Sequence, residues 1–514
     1  LKGRIGVTPA ARIDVGWRLG REPFCHLETA SNLTNFDNYF QLFLSLPEGF
    51  MTVKKGRELE VSVADIAFGG KGLVKIDGLA VFVDQAVPGD RAVIRIIKKK
   101  KTFAEARVIE LLEPSPLRVQ PRCRYSGYCG GCKWQFLDYR RQLEFKRQHV
   151  VESLEHLALL RDVPVHPTLP SEKVFGYRNK MEFSCTDRRW LMPEELGNPD
   201  IKMDFALGLH VPGTFNKVLD IDTCHLHPEE GNAIRNTVRD YMRHSGQPAY
   251  GLRSHKGFWR FLMLRHSVAH NTWMVNVVTS AENRQVLDPL AAMIQESFPS
   301  ISSVVNNVTA RKAGVATGEY EVHLAGDRTL IDRIGKFEFE ISANSFFQTN
   351  TRGAQTLYET ARQYAGLTGS ETILDLYCGT GTIAICLADS ARSVVGMEIV
   401  ASAIADARKN CERNGINNCQ FLQGDIRQLL SAQADRPDVM VIDPPRSGMH
   451  KDVVKKVLDI GSPRIVYVSC NPATLARDIA LLKEDYQVEA VQPVDMFPHT
   501  FHIEAVAQLD RVRR

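Results

Sequence analysis

The sequence lacks the marks of a membrane, secreted or fibrous chain. No uncharged apolar run reaches the roughly 18 residues of a membrane-spanning helix, so no membrane partner is expected. No internal repeat or low-complexity tract interrupts the 514 residues. Eleven cysteines are too sparse for a disulfide scaffold, which points to a reducing, cytoplasmic protein. Net charge is only +4, too mild to require an anionic partner by itself. What is present is ordinary globular composition, 44% hydrophobic and 24% charged, which excludes a disordered or collagen-like chain. At roughly 100–200 residues per domain the length predicts about three domains. Nothing indicates an obligate protein partner.

Residues 1–50 begin at Leu1 and have neither a basic start followed by an apolar core nor a clear helical or strand period. They are expected to be a non-native or disordered extension ahead of Met51. From Arg57 to Glu113, β-rich runs such as Leu59–Val63 and Leu79–Val83 alternate with turn signals at Gly69-Gly70, Asp77-Gly78 and Pro88-Gly89-Asp90. About five short strands of this kind predict a small OB-like barrel whose surface could hold oligonucleotides. A basic arm overlaps it, with ten Lys and Arg between Arg91 and Arg124 against Glu105, Glu110 and Glu113. A charged helical stretch from Leu137 to Leu160 and a mixed α/β region follow, with residues 190–205 as extra loop. From Thr372 onward, apolar strands alternate with amphipathic helices, predicting an open, mostly parallel sheet.

Three motifs carry chemistry. Cys123, Cys129 and Cys132 place three soft ligands within ten residues. Such a set suits zinc or an iron–sulfur cluster, and spacing alone does not choose between them. Asp375-Leu376-Tyr377-Cys378-Gly379-Thr380-Gly381-Thr382 ends one strand and opens a helix, with Glu398 after the next strand. That pattern fits NAD as well as S-adenosylmethionine. Asp375, Asp425 and Asp443-Pro444-Pro445 favour S-adenosylmethionine. Third, Ser469-Cys470-Asn471-Pro472 follows an apolar strand, and His502-Ile503-Glu504 lies near the C-terminus. Free cysteine is commonly a buried core thiol, and a lone glutamate a surface acid, so neither residue alone would indicate catalysis.

Taken together the motifs carry a resemblance. Ala67-Phe68-Gly69-Gly70-Lys71-Gly72 with Val87-Pro88-Gly89-Asp90 looks like a TRAM domain. Cys-x5-Cys-Gly-Gly-Cys after it, with the Ser-Cys-Asn-Pro motif, resembles the RumA/RlmD-type uracil-5-methyltransferases of bacterial ribosomal RNA, over most of the chain from Met51. The resemblance implies an α/β multidomain protein. A TRAM barrel would span residues 51–114, a central α/β iron–sulfur domain 115–340 and a Rossmann-like methyltransferase domain 341–514. It implies a 4Fe–4S cluster on Cys123, Cys129, Cys132 and Cys224, with Cys185 as runner-up for the fourth position. It implies S-adenosylmethionine held by Gln348, Tyr377, Gly379, Gly381, Thr382, Glu398, Asp425 and Asp443. Cys470 would be the nucleophile and Glu504 the base. Arg446 stands where amino-group methyltransferases carry an aromatic, which favours carbon methylation. Because bacterial transfer-RNA relatives generally lack both TRAM and cluster, the resemblance favours 23S rRNA over tRNA as substrate. Other readings are an NAD-linked oxidoreductase and a non-catalytic RNA-binding protein.

Overall fold

In the computed structural model of the chain, residues 53–312, 314–433 and 435–512 are described, and the expectation for residues 1–50 lies outside them. Six strands form the first sheet: β1 (Glu58–Ser62), β2 (Asp65–Ala67), β3 (Lys71–Ile76), β4 (Leu79–Asp84), β5 (Arg91–Lys99) and β6 (Phe103–Glu113). Their order is β1-β5-β6-β4-β3-β2. Alternate residues such as Leu59 and Val61, or Ala92, Ile94 and Ile96, face inward and are buried, as a period of two requires. Asp77 and Gly78 both take positive φ, 49° and 78°, between the paired Ile76 and Leu79. This is the turn chemistry that closes a two-residue hairpin.

The basic arm is less cationic than its composition suggests. Arg91 pairs with Glu60 and Glu113, Arg95 with Glu58, Lys98 with Glu105, Arg118 with Asp90 and Arg124 with Asp222. Half of the run is thus neutralised by acids drawn from neighbouring strands, from the turn at Asp90 and from Asp222, which a linear charge count does not register.

Helix α1 (Tyr139–Ser153) follows, capped by Asp138, whose carboxylate accepts from the Arg140 and Arg141 amides. Unlike an amphipathic surface helix, it buries mainly polar groups: Gln142, Lys146 and His149 beside Val150. Each has a partner on another element. His149 Nε2 lies 2.9 Å from the Ile66 carbonyl, Gln142 Nε2 donates to Trp134 and Leu137, and Lys146 Nζ donates to Asp495. The helix is a polar wedge between the first sheet and the C-terminal part of the chain.

The central region carries β7 (Lys180–Thr186), β8 (Arg189–Trp190), β9 (Ala206–His210), β10 (Val218–Asp220), β11 (Trp259–His266), β12 (Trp273–Thr279), β13 (Ile301–Val308) and β14 (Tyr320–Gly326). They form one sheet in the order β14-β13-β12-β11-β7-β9-β10-β8. Every residue of β11 and β12 is buried. Helices α2 (Glu229–His244) and α3 (Arg284–Ser297) contribute Ile234, Val238, Leu287 and Leu290 to its core. The hairpin β15 (Leu330–Ile334) and β16 (Phe337–Ile341) leads into α4 (Thr351–Ala365).

The C-terminal sheet comprises β17 (Thr372–Leu376), β18 (Ser393–Glu398), β19 (Cys419–Gln423), β20 (Val439–Ile442), β21 (Arg464–Ser469), β22 (Tyr486–Val494) and β23 (Glu504–Arg511). Its order is β19-β18-β17-β20-β21-β23-β22. The first five strands are parallel, and β23 runs antiparallel to both neighbours. Between strands lie α5 (Thr382–Ala388), α6 (Ala401–Arg413), α7 (Ile426–Ser431), α8 (Lys451–Ile460) and α9 (Pro472–Leu482). The apolar strands feed two cores. Ile373, Val441, Val466 and Val468 face α4, α5 and α6, whereas Leu374, Met440, Ile465 and Tyr467 face α1, α8 and α9. Strand order reverses between β17 and β20, which opens a crevice beyond their carboxyl ends. Among the described residues no helix is long and apolar enough to cross a membrane.

Candidate active site

The crevice is lined by the loops that leave β17, β18, β20 and β21. After β17 the backbone turns through left-handed positions at Tyr377 (φ 64°), Gly379 (φ 53°) and Gly381 (φ 74°) before α5 begins. A Cβ on Gly381 would also lie 2.9 Å from Ala407 Cβ and from the Phe421 ring. The glycine is therefore required both for backbone conformation and for close packing. Glu398 ends β18; its Oε1 accepts from the Ile399 and Val400 amides at 2.8 and 2.9 Å, and its Oε2 from Gly379 at 3.3 Å. A carboxylate fixed in this way keeps lone pairs for a vicinal diol.

The loop before α4 closes one side. Thr380 Oγ1 donates to the Phe346 carbonyl at 3.3 Å, and Asn179 Nδ2 donates to the Gln348 carbonyl at 2.8 Å. Tyr358 links this wall to the glycine loop, its hydroxyl 3.1 Å from Thr382 Oγ1. Phe346, in the same loop, is 68% exposed. Asp425 is committed elsewhere: it caps α7 and pairs with Arg427, which holds its carboxyl down near 2.

Asp375 is fully buried, and neither of its side-chain oxygens has a partner. Burial and the nearby Asp443 push its carboxyl well above the usual range. Burial likewise raises Asp443 to about 7. Buried polar atoms without partners are costly and rare, and here they sit at the end of β17, two residues before the left-handed turn at Tyr377. The residues present fit an adenosyl cofactor with hydroxyl and ammonium groups to satisfy them.

Strand β21 delivers Cys470 and β23 delivers Glu504 to the same rim. Ser469 pairs with Ala505, so Cys470 and Glu504 lie one step beyond that pair at adjacent strand ends. Burial, then the fields of Glu504 and Asp443, raise the Cys470 thiol to about 11. Burial and Asp443 raise Glu504 to about 8, while Arg446 and Lys146 pull it down. Arg446 is fixed by its backbone, whose carbonyl accepts from Asn471 Nδ2 at 3.2 Å. His502 is held neutral, its pKa lowered to about 4 by burial. Cys470, Glu504, Asp443 and Arg446 therefore form one electrostatic unit at the ends of β20, β21 and β23. The sequence reading did not find Lys146, Asp495 or Phe346. Only Phe346 carries a local signal, as half of an aromatic pair before Gln348.

The cysteine loop lies apart from this crevice but is tied to it. Cys123, Cys129, Cys132 and Cys224 line one cavity of about 360 Å³. Cys185 is buried in β7 and does not line it. Among the described residues no three or more His, Cys, Asp or Glu side chains meet around a single ion position. The Gly131 amide donates to Cys129 Sγ at 3.4 Å and Gln135 Nε2 to Cys132 Sγ at 3.2 Å. Burial raises all four thiols, Cys129 to about 12. Four sulfurs on one cavity wall, Cys224 buried and the other three partly so, two of them facing hydrogen-bond donors, fit a cationic metal centre that would hold them as thiolates. At the loop's far end the Lys133 and Trp134 amides both donate to the His499 carbonyl, five residues before Glu504.

Comparison with known proteins agrees with this arrangement. Residues 52–109 match a family described as a TRAM domain, and residues 367–502 one described as a methyltransferase domain. An uncharacterized RNA methyltransferase of Chlorobaculum tepidum is 43% identical over 89% of this chain and 97% of its own length. One from Porphyromonas gingivalis is 42% identical over 88% of this chain and 99% of its own. Among solved structures, the tRNA (uracil-54, C5)-methyltransferase of Pyrococcus abyssi, in complex with S-adenosyl-L-homocysteine, superposes with a TM-score of 0.69. It is 28% identical, covering 88% of this chain and all of that one. With TRAM and methyltransferase parts on one chain, relatives matching nearly end to end, and a crevice that fits S-adenosylmethionine, the chain belongs to the RumA/RlmD-type family of S-adenosylmethionine-dependent RNA methyltransferases.

Proposed function

We propose that this protein methylates carbon 5 of a uridine in RNA, favouring 23S rRNA, through a covalent adduct between Cys470 and carbon 6. The observation that carries this reading is the apposition of Cys470 and Glu504 at adjacent strand ends beside Asp443. Carbon 5 of uracil is a weak nucleophile, so the Cys470 thiolate adds to carbon 6 and drives the ring electrons onto carbon 5. S-adenosylmethionine would be held by Gln348, Tyr377, Gly379, Gly381, Thr382, Glu398 and Asp443 and would supply its sulfonium methyl group to that carbon, leaving as S-adenosylhomocysteine. Glu504 as carboxylate then takes the carbon 5 proton, the carbon–hydrogen electron pair restores the carbon 5–carbon 6 double bond, and the carbon 6–sulfur bond breaks with its own pair leaving on Cys470 as thiolate. A base inside a helix is out of reach, so the target is flipped out or lies in a loop.

The domain division is 51–114, 115–340 and 341–514. In the central domain Cys123, Cys129, Cys132 and Cys224 hold a 4Fe–4S cluster with a structural or RNA-positioning role, since thiolate-mediated methylation needs no electron transfer. A second reading takes tRNA as substrate, supported by the substrate named for the Pyrococcus abyssi neighbour. The test is transfer of labelled methyl to unmodified 23S rRNA and tRNA transcripts, with products digested to nucleosides. Label in 5-methyluridine that disappears with Cys470→Ala is expected, and the RNA that carries it selects the substrate. Label in any other nucleoside would overturn the reading.

A further inference from the structure

A second concavity opens at the edge of the central sheet that ends in β8. It encloses about 730 Å³ and is lined by Arg188, Arg189, Trp190, Lys202, Lys217 and Arg253, against only Asp187 and Asp204. Arg189 is neutralised by Glu195 and Asp220. Among the described residues the side chains of Arg188, Lys202, Lys217 and Arg253 form no ion pair, in contrast to the half-neutralised basic arm. Like charges gathered around a pocket repel one another, and an anionic ligand removes that cost. Trp190 adds an aromatic wall, and Phe215, one residue from pocket-lining Asn216, is 69% exposed. Cations with aromatic surface are the combination that holds single-stranded nucleic acid, phosphates on the former and bases on the latter.

The pocket is also mechanically joined to the active site. The Trp190 ring packs on Tyr128, with centroids 6.2 Å apart, and Tyr128 lies between Cys123 and Cys129. The same cysteine loop continues to Lys133 and Trp134, whose amides hold the His499 carbonyl of the segment that ends in Glu504. One short loop thus braces the pocket at one end and the catalytic rim at the other.

We propose that this pocket is a second RNA subsite, which takes a single-stranded segment of the substrate flanking the target nucleotide. The proposal rests on the chain's RNA substrate but not on which base is methylated. It assigns a role to the loop around residues 190–205, which the methylation chemistry does not use.

The test compares Arg188→Ala/Lys202→Ala/Lys217→Ala with a control that removes equal charge elsewhere, Lys409→Ala/Lys451→Ala/Lys455→Ala. All six side chains are exposed, so both variants should fold. The probe is a fluorescein-labelled 20-nucleotide oligouridylate, titrated by anisotropy across a salt series. The pocket variant is expected to bind about tenfold or more weakly, with a log–log salt slope smaller by about two, as three lost contacts to single-strand phosphates require. The control should stay within about twofold of wild type by the same reasoning. Equal losses in both variants, or no loss in either, would overturn the subsite. So would polyglutamate displacing the probe from wild type but not from the pocket variant, which would make the ligand an acidic peptide. Wild type that fails to methylate RNA counts against the proposed function. Wild type that methylates RNA while the pocket variant keeps its affinity and slope counts against the subsite alone.

Discussion

Lys146 Nζ lies 2.6 Å from Asp495 Oδ1, with both side chains wholly buried. The pair joins α1 to the segment that delivers Glu504. Asp495 also accepts from the Tyr139 hydroxyl at 2.8 Å and the Phe497 amide at 3.2 Å, and Lys146 donates to the Phe497 carbonyl at 3.1 Å. Burial lowers the lysine pKa while Asp495 raises it. Removing one partner would strand the other charge in the interior, at a cost of about 3–5 kcal/mol. Lys146→Met should therefore lower the thermal midpoint by several degrees. Lys146→Met/Asp495→Leu should recover much of the loss, and a double variant no better than the single would refute the pairing as the cause.

Glu504 gives a prediction with a covalent readout. If its carboxylate removes the carbon 5 proton, Glu504→Gln should still let Cys470 attack and methylation proceed, but elimination should stall. A protein–RNA adduct stable to denaturing electrophoresis is expected with Glu504→Gln and absent with Cys470→Ala/Glu504→Gln. Free methylated RNA released at the wild-type rate would remove Glu504 from the mechanism.

The same residue fixes the sign of two pH effects. Glu504 is raised to about 8 and Asp443 to about 7, so the folded protein holds protons there that the unfolded chain has released. Their contribution to stability is fully present below the unfolded carboxylate range, near pH 4, and is lost as pH rises through about 7 to 8. Activity runs the other way. A carboxylate base and a thiol raised to about 11 both gain their working forms with alkali, so kcat/KM should climb between pH 6 and 9 in the cofactor-saturated enzyme. A flat profile over that range, with chemistry rate-limiting, would contradict both assignments.

Gly381 tests the cofactor loop. A side chain there meets a φ of 74° and contacts of 2.9 Å to Ala407 and Phe421. Gly381→Ala should cost about 1–3 kcal/mol of local strain and weaken S-adenosylmethionine by tenfold or more in calorimetry. Gly369, at φ 104° with nothing near its Cβ, is the control for backbone strain alone. Equal cofactor affinity in Gly381→Ala and wild type would show that the turn is not part of the binding site.

Much of this site was legible because its residues sit at strand ends, where period and position coincide. The run Arg464–Ser469 reads as a buried strand, so Cys470 after it had to stand at the carboxyl edge. Asp77-Gly78 and Asp375 to Thr382 were legible for a similar reason, since few residue types fit their backbone. The wedge helix was not. The stretch from Leu137 to Leu160 reads only as charged and helical, because Asp495, His499 and Ile66, which bond the buried Lys146, Gln142 and His149, lie far away in sequence. The arm from Arg91 to Arg124 misled in the opposite direction, because Glu58 and Glu60 neutralise it only once β1 pairs with β5. Sequence order carries local conformation well and long-range charge pairing poorly.

The fourth cysteine is where that limit can be measured. The resemblance implies Cys224 as the fourth ligand with Cys185 as runner-up, and the fold places Cys224 on the cavity wall and Cys185 in the β7 core. If the four-cysteine cavity holds an iron–sulfur cluster, Cys224→Ala should lose bound iron and its visible absorbance, whereas Cys185→Ala should keep both and lose only packing. The Lys133 and Trp134 bonds to His499 then predict a further consequence. Without the cluster the loop loses its brace, so iron-free protein should bind RNA more weakly while its affinity for S-adenosylmethionine, held by a separate set of loops, stays the same. Iron loss with Cys185→Ala and retention with Cys224→Ala would reverse the ligand assignment. Equal loss of both ligand affinities on iron removal would show general unfolding rather than a role in positioning RNA.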